Sequence, residues 1–133
     1  MLKKKNKKYH LTDKEVELME LLWKQDKPLT SVEILAIPDE HSWSDNYLPI
    51  MLKSLLDKNA IEVCGYVRCG TQYARQFKYS ITREEYVALF AVGRGLDAQS
   101  IPKVAVAMVT ELQEDKDDII RELEGIIEKL KEQ

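Results

Sequence analysis

The sequence predicts a mainly α-helical chain that carries one β-hairpin, and three observations lead there. Three segments open with the same helix-start pattern, the stretch 61–80 alternates in hydrophobicity instead of following a helical period, and the last segment carries an apolar seam with no core of its own to cover it. With 133 residues, 44% of them hydrophobic, the chain can build one ordinary core, or a small domain with an appendage.

The helix starts are Thr12-x-x-Glu15, Thr30-x-x-Glu33 and Thr82-x-x-Glu85. In each, the threonine hydroxyl and the glutamate satisfy each other's neighbouring backbone N–H groups, forming a capping box. Apolar pairs bracket each box: Leu11 with Val16, Leu29 with Ile34, Ile81 with Tyr86. The first helix is expected from about Asp13 to Lys24, burying Val16, Met19, Leu22 and Trp23, with Lys27-Pro28 ending it. A short second helix runs to about Ala36. Pro38 and the polar residues to Ser42 lead into a third helix that turns Leu48, Leu52, Leu55 and Leu56 to one side, and Asn59 closes it in the left-handed conformation. Pro49 fits if that helix begins near Asn46, where a missing N–H costs nothing.

Residues 61–80 read as two strands around a three-residue turn, Cys69-Gly70-Thr71. That register pairs Ile61 with Tyr79, Val63 with Phe77, Gly65 with Arg75 and Val67 with Tyr73 on one face. Glu62 then lies opposite Lys78, and Cys64 opposite Gln76, on the other. Three helices followed by a long hairpin is the order of a winged helix-turn-helix. A fourth helix runs from Arg83 to about Val92, and Gly93-Arg94-Gly95 is the expected boundary. Beyond it come a helix from Ile101 to about Leu112 and a last helix opened by Asp115. The last helix carries Ile120, Leu123, Ile127 and Leu130 at steps of three, four and three, widened by Ile119 and Ile126. The organisation is thus a basic flexible arm at 1–10, a winged-helix DNA-binding domain at 11–92 and a helical dimerisation region at 96–133. The seam is expected to find a second copy of itself, giving a homodimer.

Net charge is only -3, but it is unevenly spread. Residues 1–94 hold 15 Lys and Arg against 13 Asp and Glu, whereas residues 95–133 hold 5 against 10. The front is therefore the half suited to a polyanion, and its arm, MLKKKNKK, supplies Lys3, Lys4 and Lys5, either as phosphate contacts or as a solvated tail. No apolar run reaches the length of a membrane span, and no secretory signal core stands at the start, so the chain is expected in the cytoplasm. Cys64 and Cys69, spaced C-x4-C without a second pair, match neither a zinc ribbon nor a redox motif. With two histidines, no H-E-x-x-H, no G-x-S-x-G and no glycine-rich phosphate loop, neither catalysis nor a metal or other cofactor is expected.

Three stretches, "LTDKEVELMELLWK", "SWSDNYLPIMLKSLLDKNAI" and "RQFKYSITREEY", resemble in order and spacing the BlaI/MecI/CopY family of penicillinase-repressor-like winged-helix transcription factors. They correspond to its first helix, its recognition helix with the following strand, and its second wing strand with the linker helix. The resemblance implies a transcriptional repressor: a dimer that sets two recognition helices over a pseudo-palindromic operator in double-stranded DNA. It also implies release when a membrane-bound sensor triggers cleavage of the repressor. The family's copper-responsive branch is released by a C-terminal cysteine cluster, and here no cysteine follows Cys69. "KVAVAMVTEL" lacks the asparagine-phenylalanine bond cut in the penicillinase repressors.

The recognition helix departs from the family, which usually has threonines at Tyr47 and Ile50 and an arginine at Ser54. The wing is also longer than the family's, with Arg68 near its tip and Arg75 behind. The residues expected to meet DNA are Asn46, Tyr47, Ile50, Lys53 and Ser54 on the recognition helix and Arg68 and Arg75 on the wing. The competing expectation is a winged helix that has lost operator binding and uses the Tyr47–Ile50 face to bind protein.

Overall fold

The computed structural model describes residues 10–112 and 115–133. The elements are α1 (Asp13–Gln25), α2 (Ser31–Leu35), a 3-10 turn (Asp45–Tyr47), α3 (Leu48–Asp57), β1 (Ile61–Cys69), β2 (Gln72–Tyr79), α4 (Arg83–Gly93), α5 (Ile101–Leu112) and α6 (Lys116–Lys131). They fall into two compact units that divide between Arg94 and Gly95.

All three capping boxes form. Thr12, Thr30 and Thr82 accept from the N–H of Glu15, Glu33 and Glu85, whose carboxylates accept from the three threonine N–H groups in return. α1 runs one residue further than Lys24 and ends before the proline. Asp26 takes the left-handed conformation (φ 53°) and donates its N–H to the Leu22 carbonyl, as a short polar side chain permits. Tyr79 locks this corner by donating its hydroxyl to Asp26 Oδ1 at 2.6 Å. Asn59, at φ 61°, closes α3 as its residue type predicts.

The core of the first unit gathers Leu18, Met19, Leu21 and Leu22 from α1, Ile34 from α2, Leu48, Met51, Leu52 and Leu55 from α3, and Ile61 and Phe77 from the hairpin. Burial of each such side chain contributes about 1.5–3 kcal/mol. Val16, Trp23 and Leu56 are only partly buried at its margin. Trp23 stays there because its indole N–H is used, donating to the Ile81 carbonyl at 2.8 Å. Leu29 and Phe77 exchange two backbone hydrogen bonds, 2.9 and 2.8 Å, an isolated antiparallel bridge that ties the α1–α2 connection to β2.

The hairpin follows the expected register at its base and leaves it further out. Ile61 pairs with Tyr79, Glu62 with Lys78 and Val63 with Phe77; a bulge at Cys64 then shifts the ladder, so that Gly65 faces Gln76, Tyr66 faces Arg75, Val67 faces Ala74 and Arg68 faces Tyr73. The expected pairings of Gly65 with Arg75, Val67 with Tyr73 and Cys64 with Gln76 are therefore corrected. The odd residue sits in the strand because the turn needs only two. Gly70 (φ 65°) and Thr71 connect Cys69 to Gln72, a type II′ pattern whose twist suits the strands.

In the second unit, α5 and α6 flank an apolar cleft lined by Ala105, Val106, Val109, Ile119, Ile120 and Leu123. Asp115 caps α6 by accepting from the Asp117 N–H. None of the described residues after Gly95 is buried, and Ile120, Leu123, Ile127 and Leu130 remain 40–60% exposed.

Candidate nucleic-acid interface

The approach to α3 is built by local contacts. Trp43 is buried, and His41 stacks on it with ring centroids 3.6 Å apart and planes 7° from parallel. The N–H and hydroxyl of Ser42 both donate to Glu17 Oε1, at 2.9 and 3.0 Å, fastening the loop to α1. The 3-10 turn then brings Pro49 into the first turn of α3, where its missing N–H leaves no bond unmade.

With Leu48, Met51, Leu52 and Leu55 turned inward, α3 presents Ile50 and Lys53 outward, and Asn46 and Tyr47 lie exposed just before it. Tyr47 is 37% and Ile50 59% exposed. Lys53 pairs with Asp57 one turn on at 3.5 Å, a solvated pair worth little that a phosphate can replace.

Ser54, expected on this outer face, is half-buried instead. It shares a stripe with Lys58 four residues on, and that stripe faces α1. Glu15 Oε1 there accepts both the Thr12 N–H at 2.9 Å and the Lys58 ammonium at 2.6 Å. Burial pushes the Glu15 carboxyl up, but hydrogen bonds from Lys58, Ser54 and Thr12 outweigh it and hold the group below its ordinary value of 4.5. One carboxylate thus couples the start of α1 to the end of α3.

Lys14, missed in the sequence, stands beside Glu15 and places its ammonium 5.3 Å from the centre of the Tyr47 ring. No local pattern could announce it, since only the packing of α1 against α3 brings the two together. On the wing, Arg68 donates to the Gly70 carbonyl at 3.1 Å and lies over Tyr73, while Arg75 lies over Phe77 at 5.1 Å. Cys64 and Cys69 are free and exposed thiols. Lys3, Lys4 and Lys5 lie outside the described residues. Among the described residues no helix is long and apolar enough to cross a membrane.

The family model described as Penicillinase repressor matches residues 11–129, nearly the whole chain. No match is found among curated proteins or among solved structures. The matched stretch takes in the winged helix, whose hairpin follows three helices, and both helices beyond Arg94. The chain belongs to the penicillinase repressor family, the BlaI/MecI/CopY group of winged-helix, DNA-binding transcriptional repressors.

Proposed function

We propose that the chain acts in the cytoplasm as a homodimer on a pseudo-palindromic operator, with α3 laid in the major groove of each half-site. The observation that carries this reading is the surface of α3 and of the turn before it that the core leaves open, where Asn46, Tyr47, Ile50 and Lys53 are exposed. Lys53 and Lys14 suit phosphates, Asn46 suits a base edge, and Tyr47 and Ile50 suit the apolar contact with a thymine methyl. Ile120, Leu123, Ile127 and Leu130, exposed in the second unit, supply the surface for pairing with a second copy. If a membrane sensor releases the repressor by cleavage, the cut falls at a bond other than Asn-Phe, because the sequence contains no such pair.

The exposed Tyr47 and Ile50 also favour a second reading, a protein-binding module without an operator. Selection from a pool of random duplexes separates the two. Repression predicts enrichment of an inverted repeat whose half-site centres lie about 10–10.5 base pairs, or a multiple, apart. Enrichment of no sequence would leave the protein-binding reading standing and overturn the first.

A further inference from the structure

In the first unit α1, α2 and α4 each begin in a capping box, which fixes where the first turn points. α3 begins differently: neither Ser44 before the 3-10 turn nor Tyr47 before α3 makes a side-chain capping bond. Yet α3 is the helix whose direction matters most, since base edges come within reach only when a recognition helix lies in the groove at one angle and depth. Its aim has to be set by the loop that feeds it.

That loop, from Pro38 to Tyr47, is held at its middle. Trp43 is buried, but its indole N–H meets no partner among the described residues, so packing holds the ring without the direction that a hydrogen bond adds. His41 stacks on Trp43 and donates from Nδ1 to the Trp43 carbonyl at 2.8 Å, and both contacts stay within the loop. The directional tie to another element runs to Glu17 on α1, whose Oε1 accepts the Ser42 N–H at 2.9 Å and the Ser42 hydroxyl at 3.0 Å. Bonds to a carboxylate are the stronger kind, and with one donor on the backbone and one on the side chain they fix the peptide plane at Ser42 as well as its rotamer. Two residues on, the chain enters the 3-10 turn, closed by the Tyr47 N–H donating to the Ser44 carbonyl at 2.9 Å. A rotation at Ser42 is therefore carried into Asn46, Tyr47 and the first turn of α3. Glu17 is otherwise out of place. It lies one turn along α1 from Lys14, whose ammonium stands 5.3 Å from the centre of the Tyr47 ring, and a carboxylate so near a phosphate-facing surface opposes a polyanion.

We propose that Glu17 is a positioning residue for operator reading: by holding Ser42 it sets the entry of α3, and so the discrimination between duplexes, without touching DNA itself. The inference rests on the DNA-binding reading above and names what aims its recognition helix. A start released from Glu17 samples several orientations, and operator affinity falls by the fraction of time that the fitting one is occupied. Binding to an unrelated sequence uses phosphates and tolerates them all.

The test measures the affinity of the intact chain, Glu17→Ala, Glu17→Gln and Ser42→Ala for the selected operator duplex and for a mixed-sequence duplex of equal length. Glu17→Ala should lose about tenfold on the operator and nothing on the mixed duplex. Its salt slope should stay unchanged, because no phosphate contact is removed, and thermal melting should show the fold retained. Glu17→Gln keeps an acceptor oxygen and should recover part of the loss. Ser42→Ala keeps the N–H and should fall between, and adding it to Glu17→Ala should change nothing further, since the hydroxyl acts through that carboxylate. The sign is informative as well: a carboxylate that merely sits near DNA repels it, so its removal would tighten both duplexes. Tightened or unchanged binding of the operator by Glu17→Ala overturns the proposal and leaves the operator reading standing. An equal loss on both duplexes would make Glu17 a support of the fold alone, and overturns it too. An intact chain that fails to distinguish the two duplexes overturns the operator reading itself, and this inference with it.

Discussion

Glu15 shows how a single side chain can serve the backbone and the tertiary structure at once. Its Oε1 completes the capping box of α1 and receives the Lys58 ammonium from the end of α3. Glu15→Gln keeps an oxygen for the Thr12 N–H but removes the charge opposite Lys58, so it should cost about 1–3 kcal/mol in urea denaturation at neutral pH. The pH dependence has a definite sign. Because the folded carboxyl lies below its ordinary 4.5, its contribution is complete above that value and is lost as the pH falls through the lowered folded value. The gap between the two proteins should therefore close on acidification, and a gap constant down to pH 3 would show that the charge of Glu15 does not stabilise the fold. The capping half of this arrangement was legible in Thr12-x-x-Glu15, because it is made within one turn of helix. The Lys58 half was not, since it spans forty-three positions of sequence and depends on how two helices pack. The same holds for Lys14 beside Tyr47, and it explains why Ser54 was read as outward.

At the scale of elements, the hairpin separates what alternation can reveal from what it cannot. Alternation and the turn residues located both strands, and the base pairs Ile61–Tyr79 and Val63–Phe77 followed from which face must be apolar. They could not say whether the odd residue would sit in the turn or in the strand, as polar wing positions weigh both options alike. Two deletions turn this into a test. Without Cys64, every pair from Gly65 outward can persist on a regular ladder, with Tyr66 still opposite Arg75. Without Val67, a regular ladder instead sets Gly65 opposite Arg75 and Tyr66 opposite Ala74, on the other face. Both proteins should stay folded, with stability changed by less than about 1 kcal/mol. The first should keep the cross-strand contact of Tyr66 with Arg75 by NMR and the second should lose it. Its loss from both would show that the pairing requires the bulge at Cys64.

For the whole molecule, charge and apolar surface are distributed between the units in opposite ways. The first unit carries the balance of positive charge and a closed core. The second carries 10 acidic residues against 5 basic ones and, among its described residues, buries none. The seam of α6 was legible from its steps of three and four, whereas nothing in that spacing says how a second copy would meet it. Leu123→Glu, placing a carboxylate in the seam, should yield a monomer by sedimentation, since an unpaired charge there costs several kcal/mol against dimer strength. The first unit should remain folded and operator affinity should drop sharply, because each half-site alone is weak. A Leu123→Glu protein that stays dimeric would place the subunit contact elsewhere. That none of the described residues after Gly95 is buried has a thermodynamic corollary. If the proposed homodimer is what covers these apolar side chains, the stability of this segment is set by mass action, so its melting should move with protein concentration while that of the winged helix stays put. Dilution alone would then loosen the grip on the operator, and the cellular level of the repressor would itself become a determinant of how much of it is folded throughout.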